Sequence, residues 1–484
     1  MRAVLTVLGQ TKLFGTVVMN EEVKHASSER AQSVSTIPNW QETRLLLRIA
    51  GPLVAAYLAE YSMVLTTKAL VGQLGFRDLA AVGLAGDLAS QIQIILVGTL
   101  SVVGVLVSQA NGADDQHGVG QAARHGIFVA VLLALPAMII VWHLDSVLAL
   151  AGFDRDLVGR MGPYLQPVSF SLLPMLCFFV LRMFVAALAK TVAVMWITVV
   201  AVVLNYFLCQ GLIHGSYGLP KIGIAGAGWA KTIVALFMVT SLLVYIYITP
   251  FLRGYGLFKG RFKVDGKLCR EILILGLPVA GIVLLEAGLF TAVSLFSGLL
   301  GPIALATYQV IIAWVAIAFK SAQGLAEAGM VRVAFAAGRH NILQARRSGL
   351  LTMAIGIIWL VCLAVVPLSF PETLVQLFLN PDDPGFAPVL ALASKVLILA
   401  AFFQIFDGLQ VIASLMLRGL KDTLFPLWLA GFGYWVLGIG GGWWLAFRGG
   451  MNAEGLWWGM AVGLTVTASL LAIRFVYLTR RPGE

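Results

Sequence analysis

Between residues 45 and 477 the chain alternates long apolar runs with short polar breaks. The runs fall at 45–71, 79–108, 123–147, 163–189, 191–214, 224–249, 271–299, 303–330, 348–370, 389–417, 423–447 and 453–477. A hydrocarbon core about 30 Å thick is crossed by roughly 20 apolar residues in α-helix, so every run is long enough to span, and the longest are expected to tilt or to project past the bilayer. Lipid offers backbone groups no water, which leaves only helices or a closed barrel. None of the runs shows the period-two alternation of a barrel strand. The pattern predicts an all-α polytopic membrane protein with about twelve transmembrane helices.

Composition agrees. Hydrophobic residues make up 60% of the 484 residues and charged residues 12%, against about 25% charged in a soluble protein. Net charge is +10, and its placement decides its meaning. Breaks after even-numbered runs hold Arg124, Lys190, a basic cluster within 250–270, Arg339, Arg346, Arg347, Arg418 and Lys421; those after odd-numbered runs hold Arg77, Arg155, Arg160, Lys221 and Arg448. By the positive-inside rule both termini and the 250–270 linker are expected in the cytoplasm. The charge is thereby a topology signal, and no nucleic-acid partner is implied. Residues 1–43 read as a polar, disordered tail, with Met19 an alternative start, and 479–484 as a short C-terminal tail. The cysteines Cys177, Cys209, Cys269 and Cys362 have neither metal-ligand spacing nor a disulfide framework.

The chain also repeats. "GPLVAAYLAEYSM" from Gly51 matches "LPVAGIVLLEAGL" from Leu277, with Pro52 before Glu60 as Pro278 is before Glu286. "QLGFRDLAAVG" from Gln73 lies over "LLGPIALATYQ" from Leu299 at the same offset, near 226 residues. Six spans per half is an even number, so both halves enter the membrane in the same sense. That is a parallel repeat with a site between the lobes: an N-lobe at 44–249 and a C-lobe at 271–478.

Glu286 stands in the middle of the seventh run with only apolar neighbours. A charge at bilayer depth costs ~2.5–3.5 kcal/mol on insertion scales, and such residues usually line a polar cavity; a buried carboxylate can also shed the cost by taking a proton. Glu286 is therefore placed like a coupling-ion or substrate site, and Glu60 is its repeat counterpart. Structural roles are expected for Asp87, paired with Lys68, and for Glu327, paired with Lys320 or Arg332. Arg182 and Lys190 read as orienting groups or anchors, and Asn205 as a bridge between helices and a further candidate for the coupling-ion or substrate site. Among the aromatics, Tyr308 and Trp314 are candidates to face the cavity and hold flat cations. No Walker motif, HExxH or Ser/His/Asp constellation occurs, so neither ATP nor enzymatic chemistry is expected on this chain.

The order and spacing of "LGFRDLAAVGLAGDL" (74–88), "LVSQANGADD" (106–115), "VLRMFVAALAKT" (180–191), "VLNYFLCQG" (203–211), "GLPKIGIAGAGWA" (218–230), "LEAGLF" (285–290) and "FDGLQVIASLMLRGLKDTLFP" (406–426) resemble the MATE (multidrug and toxic compound extrusion) family over roughly residues 44–480. The resemblance implies a two-lobe fold of the multidrug/oligosaccharidyl-lipid/polysaccharide exporter superfamily in a bacterial-type inner membrane. It also implies a monomeric antiporter that needs no cofactor and exports organic, often cationic, compounds in exchange for Na⁺ or H⁺. Glu286 falls on the family's acidic position in the seventh helix and Asp407 on that of the tenth; Gln309 follows a polar position of the eighth and is expected to line the cavity. The first-helix aspartate falls near Thr67 and is missing, with Glu60 two turns earlier. The helical neighbours of Glu286 and Asp407 supply few oxygens beyond two Gln amides, which favours H⁺ over Na⁺ there. A flippase for a lipid-linked saccharide is the alternative; its pyrophosphate calls for a basic cavity, which the central acids oppose.

Overall fold

The computed structural model describes residues 39–152, 154–258 and 263–480. Among them, twelve helices are long and apolar enough to cross a membrane: α1 Trp40–Gly72, α2 Arg77–Gly112, α3 Gln116–Trp142, α4 Arg155–Ala187, α5 Val192–His214, α6 Ile224–Ile248, α7 Gly266–Leu299, α8 Pro302–Gly338, α9 Ile342–Ser369, α10 Phe386–Gly419, α11 Leu424–Arg448 and α12 Asn452–Leu478. Residues 1–38, most of the expected N-terminal tail, lie outside the described residues, as do 259–262 of the linker and 481–484.

Helix ends depart from the apolar runs where polar residues are satisfied locally or at a distance. The first spanning helix starts within the stretch 39–43 that the sequence assigns to the tail, because Glu42 finds a buried partner in Arg332. The fourth starts eight residues before its apolar run, capped by Asp154, whose carboxylate accepts the Asp156 and Leu157 N–H groups, as an N-cap does. Along α11 the glycine-rich stretch Gly431–Gly441 is wound as π-helix. A Cβ at Gly433 would overlap Thr467 Oγ1 of α12.

The repeat is visible in backbone geometry. Spans α2 and α8 are each followed, two residues past the helix end, by a left-handed residue, Asp114 and His340, whose numbers differ by 226. The lobes meet through glycines in matched pairs. Gly98 packs on Ala280 of the other lobe, and Gly324 on Val54; Gly112 packs on the Phe335 carbonyl, and Gly338 on that of Gln109. Adding 226 to one side of each contact and subtracting it from the other generates its mate, the signature of a two-fold axis between α1–α6 and α7–α12. Small residues let helix backbones approach this closely.

Packing differs between the two ends of the bundle. At the end carrying the 250–265 connection, one apolar core runs across both lobes, from Leu46, Val103 and Phe184 to Met330, Met416 and Phe475. At the opposite end each lobe has its own core, around Val82 and Leu165 in one and Val310 and Trp457 in the other. The lobes are joined at the linker end and part towards the other.

Candidate functional site

Where the lobes part, a cavity of ≈ 390 Å³ opens between α1, α2, α4, α7, α8 and α10. Aliphatic and aromatic side chains, among them Phe179, Ile282, Phe290 and Phe319, form most of its wall. At its outer end Gln91 and Ile94 are exposed.

Four ionisable side chains converge on the C-lobe wall. Glu286 comes from the middle of α7, Asp407 from α10, Lys320 from α8 and Arg418 from the last turn of α10. Lys320 and Arg418 lie near enough to attract the Glu286 carboxylate, while Asp407 lies near enough to repel it. Asp407 is 1% exposed, and among the described residues its Oδ1, like Gln410 Oε1 one turn further on, has no hydrogen-bond partner.

Behind the lining lies a buried charge network: Tyr57 of the N-lobe and Glu327 of the C-lobe face the cavity, whereas Arg182 and Glu60, which they join, are not among its lining residues. Arg182, 3% exposed, donates to Glu60 Oε1 at 3.0 Å and to the Tyr57 hydroxyl at 2.8 Å. Tyr57 in turn donates to Glu327 Oε2 at 2.5 Å, and Arg182 stands 3.7 Å from the same carboxylate. The guanidinium also lies over the Tyr57 ring, 4.6 Å from its centroid, a geometry that attracts a cation to the π face. Glu327 is therefore held by Tyr57 and Arg182 across the lobe boundary, and neither Lys320 nor Arg332 pairs with it. Lys320 sits two turns away, and Arg332 is taken by Glu42. Arg182 is no membrane-end anchor; it is the buried centre of a charge network.

The two-fold relation explains an asymmetry here. Ser101 and Glu327 occupy equivalent positions, 226 residues apart, and each meets an arginine from the fourth helix of the opposite lobe: Arg418 donates to Ser101 Oγ at 2.9 Å, and Arg182 faces Glu327. Arg182 thus meets two acids at close range, whereas Arg418 bonds a hydroxyl while its charge acts on both Glu327 and Glu286.

The remaining candidates fall outside this lining. Tyr308 is buried among Trp457 and neighbouring C-lobe residues and donates to the Phe290 carbonyl at 2.9 Å. Gln309 is exposed, 3.5 Å from Ser294 Oγ, and Trp314 packs into the C-lobe core. Asn205 lies within the N-lobe and donates to the Met63 carbonyl and to Thr67 Oγ1, so the position of the missing first-helix aspartate is filled by a small neutral hydrogen-bonded group. Lys68 and Asp87 pair at 2.9 Å in a solvent-exposed position. Arg418 was missed as a site residue because a cation in the last turn of a helix reads in sequence as a topology signal, and Lys320, midway along α8, because it reads as a partner for Glu327 on its own helix.

The linker end is closed by a second set of polar contacts across the lobes. Glu42 of α1 accepts from Arg332 Nε and NH2 of α8, at 2.8 and 2.7 Å, and from Ser348 Oγ of α9 at 2.7 Å. Gln109 Nε2 donates to the Gly419 carbonyl at 3.0 Å.

Two pseudo-symmetric helical lobes around a charged cavity define a polytopic membrane transporter. A family model described as MatE matches residues 52–210 and 278–444, two stretches that begin 226 residues apart, the offset of the internal repeat. The chain belongs to this family, the MATE transporters. The "Probable multidrug resistance protein NorM" of Pseudomonas putida is 36% identical over 440 residues, covering 91% of this chain and 95% of the relative. The "Multidrug resistance protein NorM" of Burkholderia vietnamiensis is 35% identical over 429 residues, covering 88% and 92%. Among solved structures, the eukaryotic MATE transporter AtDTX14 superposes with a TM-score of 0.80 at 24% identity over 90% of this chain and 96% of that one. A structure described as the outward-facing conformation of a multidrug resistance MATE family transporter gives 0.82 at 18% identity, over 92% and 98%. At these identities the superpositions speak to fold alone.

Proposed function

We propose that the chain is a secondary antiporter that exports organic, cationic or amphipathic compounds through the interlobe cavity in exchange for H⁺. One observation carries the reading: Glu286 and Asp407, from two different helices, line one largely apolar cavity together with Lys320 and Arg418. Apolar walls suit amphipathic cargo, and a few convergent polar groups orient it. The relatives' multidrug-resistance names support the cargo class. For the coupling ion, Na⁺ would have to exchange its hydration shell for several oxygens, of which the lining offers few besides Glu286 and Asp407, while Lys320 and Arg418 near Glu286 oppose a further cation there. A proton needs a single carboxyl group, and the Asp407 oxygen that lacks a partner among the described residues supplies it.

Transport by alternating access follows from the packing asymmetry. The lobes, residues 44–249 and 271–478, rock as units of a single chain, and the basic linker and both termini face the cytoplasm. Joined cores at the linker end and separate cores opposite then correspond to the state open to the outside. Inward opening requires the Glu42–Arg332 pair and the glycine contacts to part. Everted membrane vesicles energised by respiration, with dye uptake followed by fluorescence, test the reading. Uptake that collapses with a protonophore and persists without Na⁺ supports it. Uptake that needs Na⁺ and survives the protonophore refutes the choice of ion, and absence of uptake across a panel of cationic dyes refutes the cargo class.

A further inference from the structure

Away from the interlobe cavity, the linker end of α7 carries a second concavity of ≈ 320 Å³, lined by Lys267, Arg270, Glu271, Ile274, Leu275 and Lys421. Three cations from two separate segments, the first turns of α7 and the connection from α10 to α11, face one recess. Its acid, Glu271, accepts from Lys421 Nζ at 2.8 Å, so the recess keeps a net positive charge. The neighbouring acids are engaged elsewhere: Asp265 accepts the Lys267 N–H at the start of α7, and Asp422 holds Arg474 at 3.0 Å. Lys267 and Arg270 are exposed.

Directly along the helix the surface becomes apolar and lipid-facing. Ile274 and Leu277 of α7 are 52% and 60% exposed, and Leu424 and Trp428 at the start of α11 are 59% and 77% exposed. The two helices pack closely below the recess, where a Cβ at Gly281 would lie 2.8 Å from Leu427 Cδ1. A ring of cations at the membrane end above an exposed aliphatic and aromatic groove matches one kind of ligand: a phosphate headgroup with acyl chains running down the bundle. Basic pockets between transmembrane helices at the membrane surface bind acidic headgroups for this reason.

We infer that the recess formed by Lys267, Arg270 and Lys421 is a binding site for an anionic phospholipid of the leaflet at the linker end. The headgroup phosphate sits among the three cations, with the acyl chains against Ile274, Leu277 and Trp428. The site is independent of the compound the central cavity carries. It ties α7 to the α10–α11 connection, so its occupancy stiffens the C-lobe at the end where the lobes are joined.

Native mass spectrometry on the delipidated full chain in detergent tests this, with dioleoyl phosphatidylglycerol and dioleoyl phosphatidylcholine as probes. Each basic residue near an anionic surface is worth about fivefold in affinity. The expected result is selective retention of phosphatidylglycerol, reduced by about tenfold or more in Lys267→Gln/Arg270→Gln/Lys421→Gln, with phosphatidylcholine retention unchanged. Equal retention by wild type and triple variant overturns the site. Equilibrium dialysis with inorganic phosphate separates the sources: phosphate bound as tightly as phosphatidylglycerol overturns the lipid assignment in favour of a free anion, and weaker phosphate binding supports it. Should the triple variant not be recovered folded, Glu271→Gln provides the opposite sign. Removing that acid raises phosphatidylglycerol retention, and no rise overturns the proposal.

Discussion

Glu42→Gln is expected to move the lobes apart at the linker end. In the structure Glu42 is 4% exposed and receives three hydrogen bonds of 2.7–2.8 Å, two from Arg332 and one from Ser348. Removing one partner of a buried ion pair costs about 3–5 kcal/mol, because the other charge is left stranded. In a state open at the linker end both groups would be hydrated, so the substitution costs little there. The difference, about 3 kcal/mol, corresponds to roughly a hundredfold shift between the two states at 1.4 kcal/mol per decade. Spin labels at His117 and Arg339, both exposed and on opposite lobes at that end, report it by double electron–electron resonance after replacement of Cys177, Cys209, Cys269 and Cys362. Glu42→Gln should raise a population at longer distance. Glu42→Gln/Arg332→Met, which removes the stranded charge, should fall between the single variant and wild type. An unchanged distance distribution in a folded Glu42→Gln protein would refute the reasoning, and so would a double variant more open than the single.

Other expectations are smaller or simpler to read. Gly338→Leu forces a side chain into the Gln109 carbonyl, so efflux should be lost while membrane abundance is kept; normal efflux would show that the close approach is dispensable. Tyr308→Phe deletes a hydroxyl bonded to the Phe290 carbonyl and should lower stability by about 1 kcal/mol without altering which dyes are exported; an altered dye spectrum would return Tyr308 to the cargo site. Lys68→Gln/Asp87→Asn removes an ion pair whose side chains are 39% and 65% exposed. Such pairs contribute about 0–1 kcal/mol, so thermal unfolding in detergent should barely change, and a large drop would contradict the solvent-screened placement.

How much was legible before the structure depended on whether the physics was local. Apolar runs reveal spans because membrane thickness acts on each segment alone, and the ends slipped only where a cap or a distant partner intervened, as at Asp154 and Glu42. The offset between Pro52 and Pro278 carried the repeat, and the mated glycines Gly112 and Gly338 follow from it once the lobes are seen to touch. Pairing was legible within one lobe, at Lys68 and Asp87, but not across the lobes. Glu327 meets Tyr57, 270 positions away, while the nearer Lys320 and Arg332 serve other groups, and helix periodicity cannot choose among partners on different helices. Tyr308 shows the converse. Its composition suits a cation-binding wall, but the rotation of α8 turns it into the C-lobe core.

The central claim is that Glu286 and Asp407 couple export to proton entry. Proteoliposomes with an imposed pH gradient, no Na⁺ and a membrane potential clamped at zero test it most directly, with dye movement compared for wild type, Glu286→Gln and Asp407→Asn. The account predicts gradient-driven dye transport by the wild type and none by either variant, each inserted at near-normal abundance. Full transport by both neutral variants, or wild-type transport driven by a Na⁺ gradient alone, would contradict it.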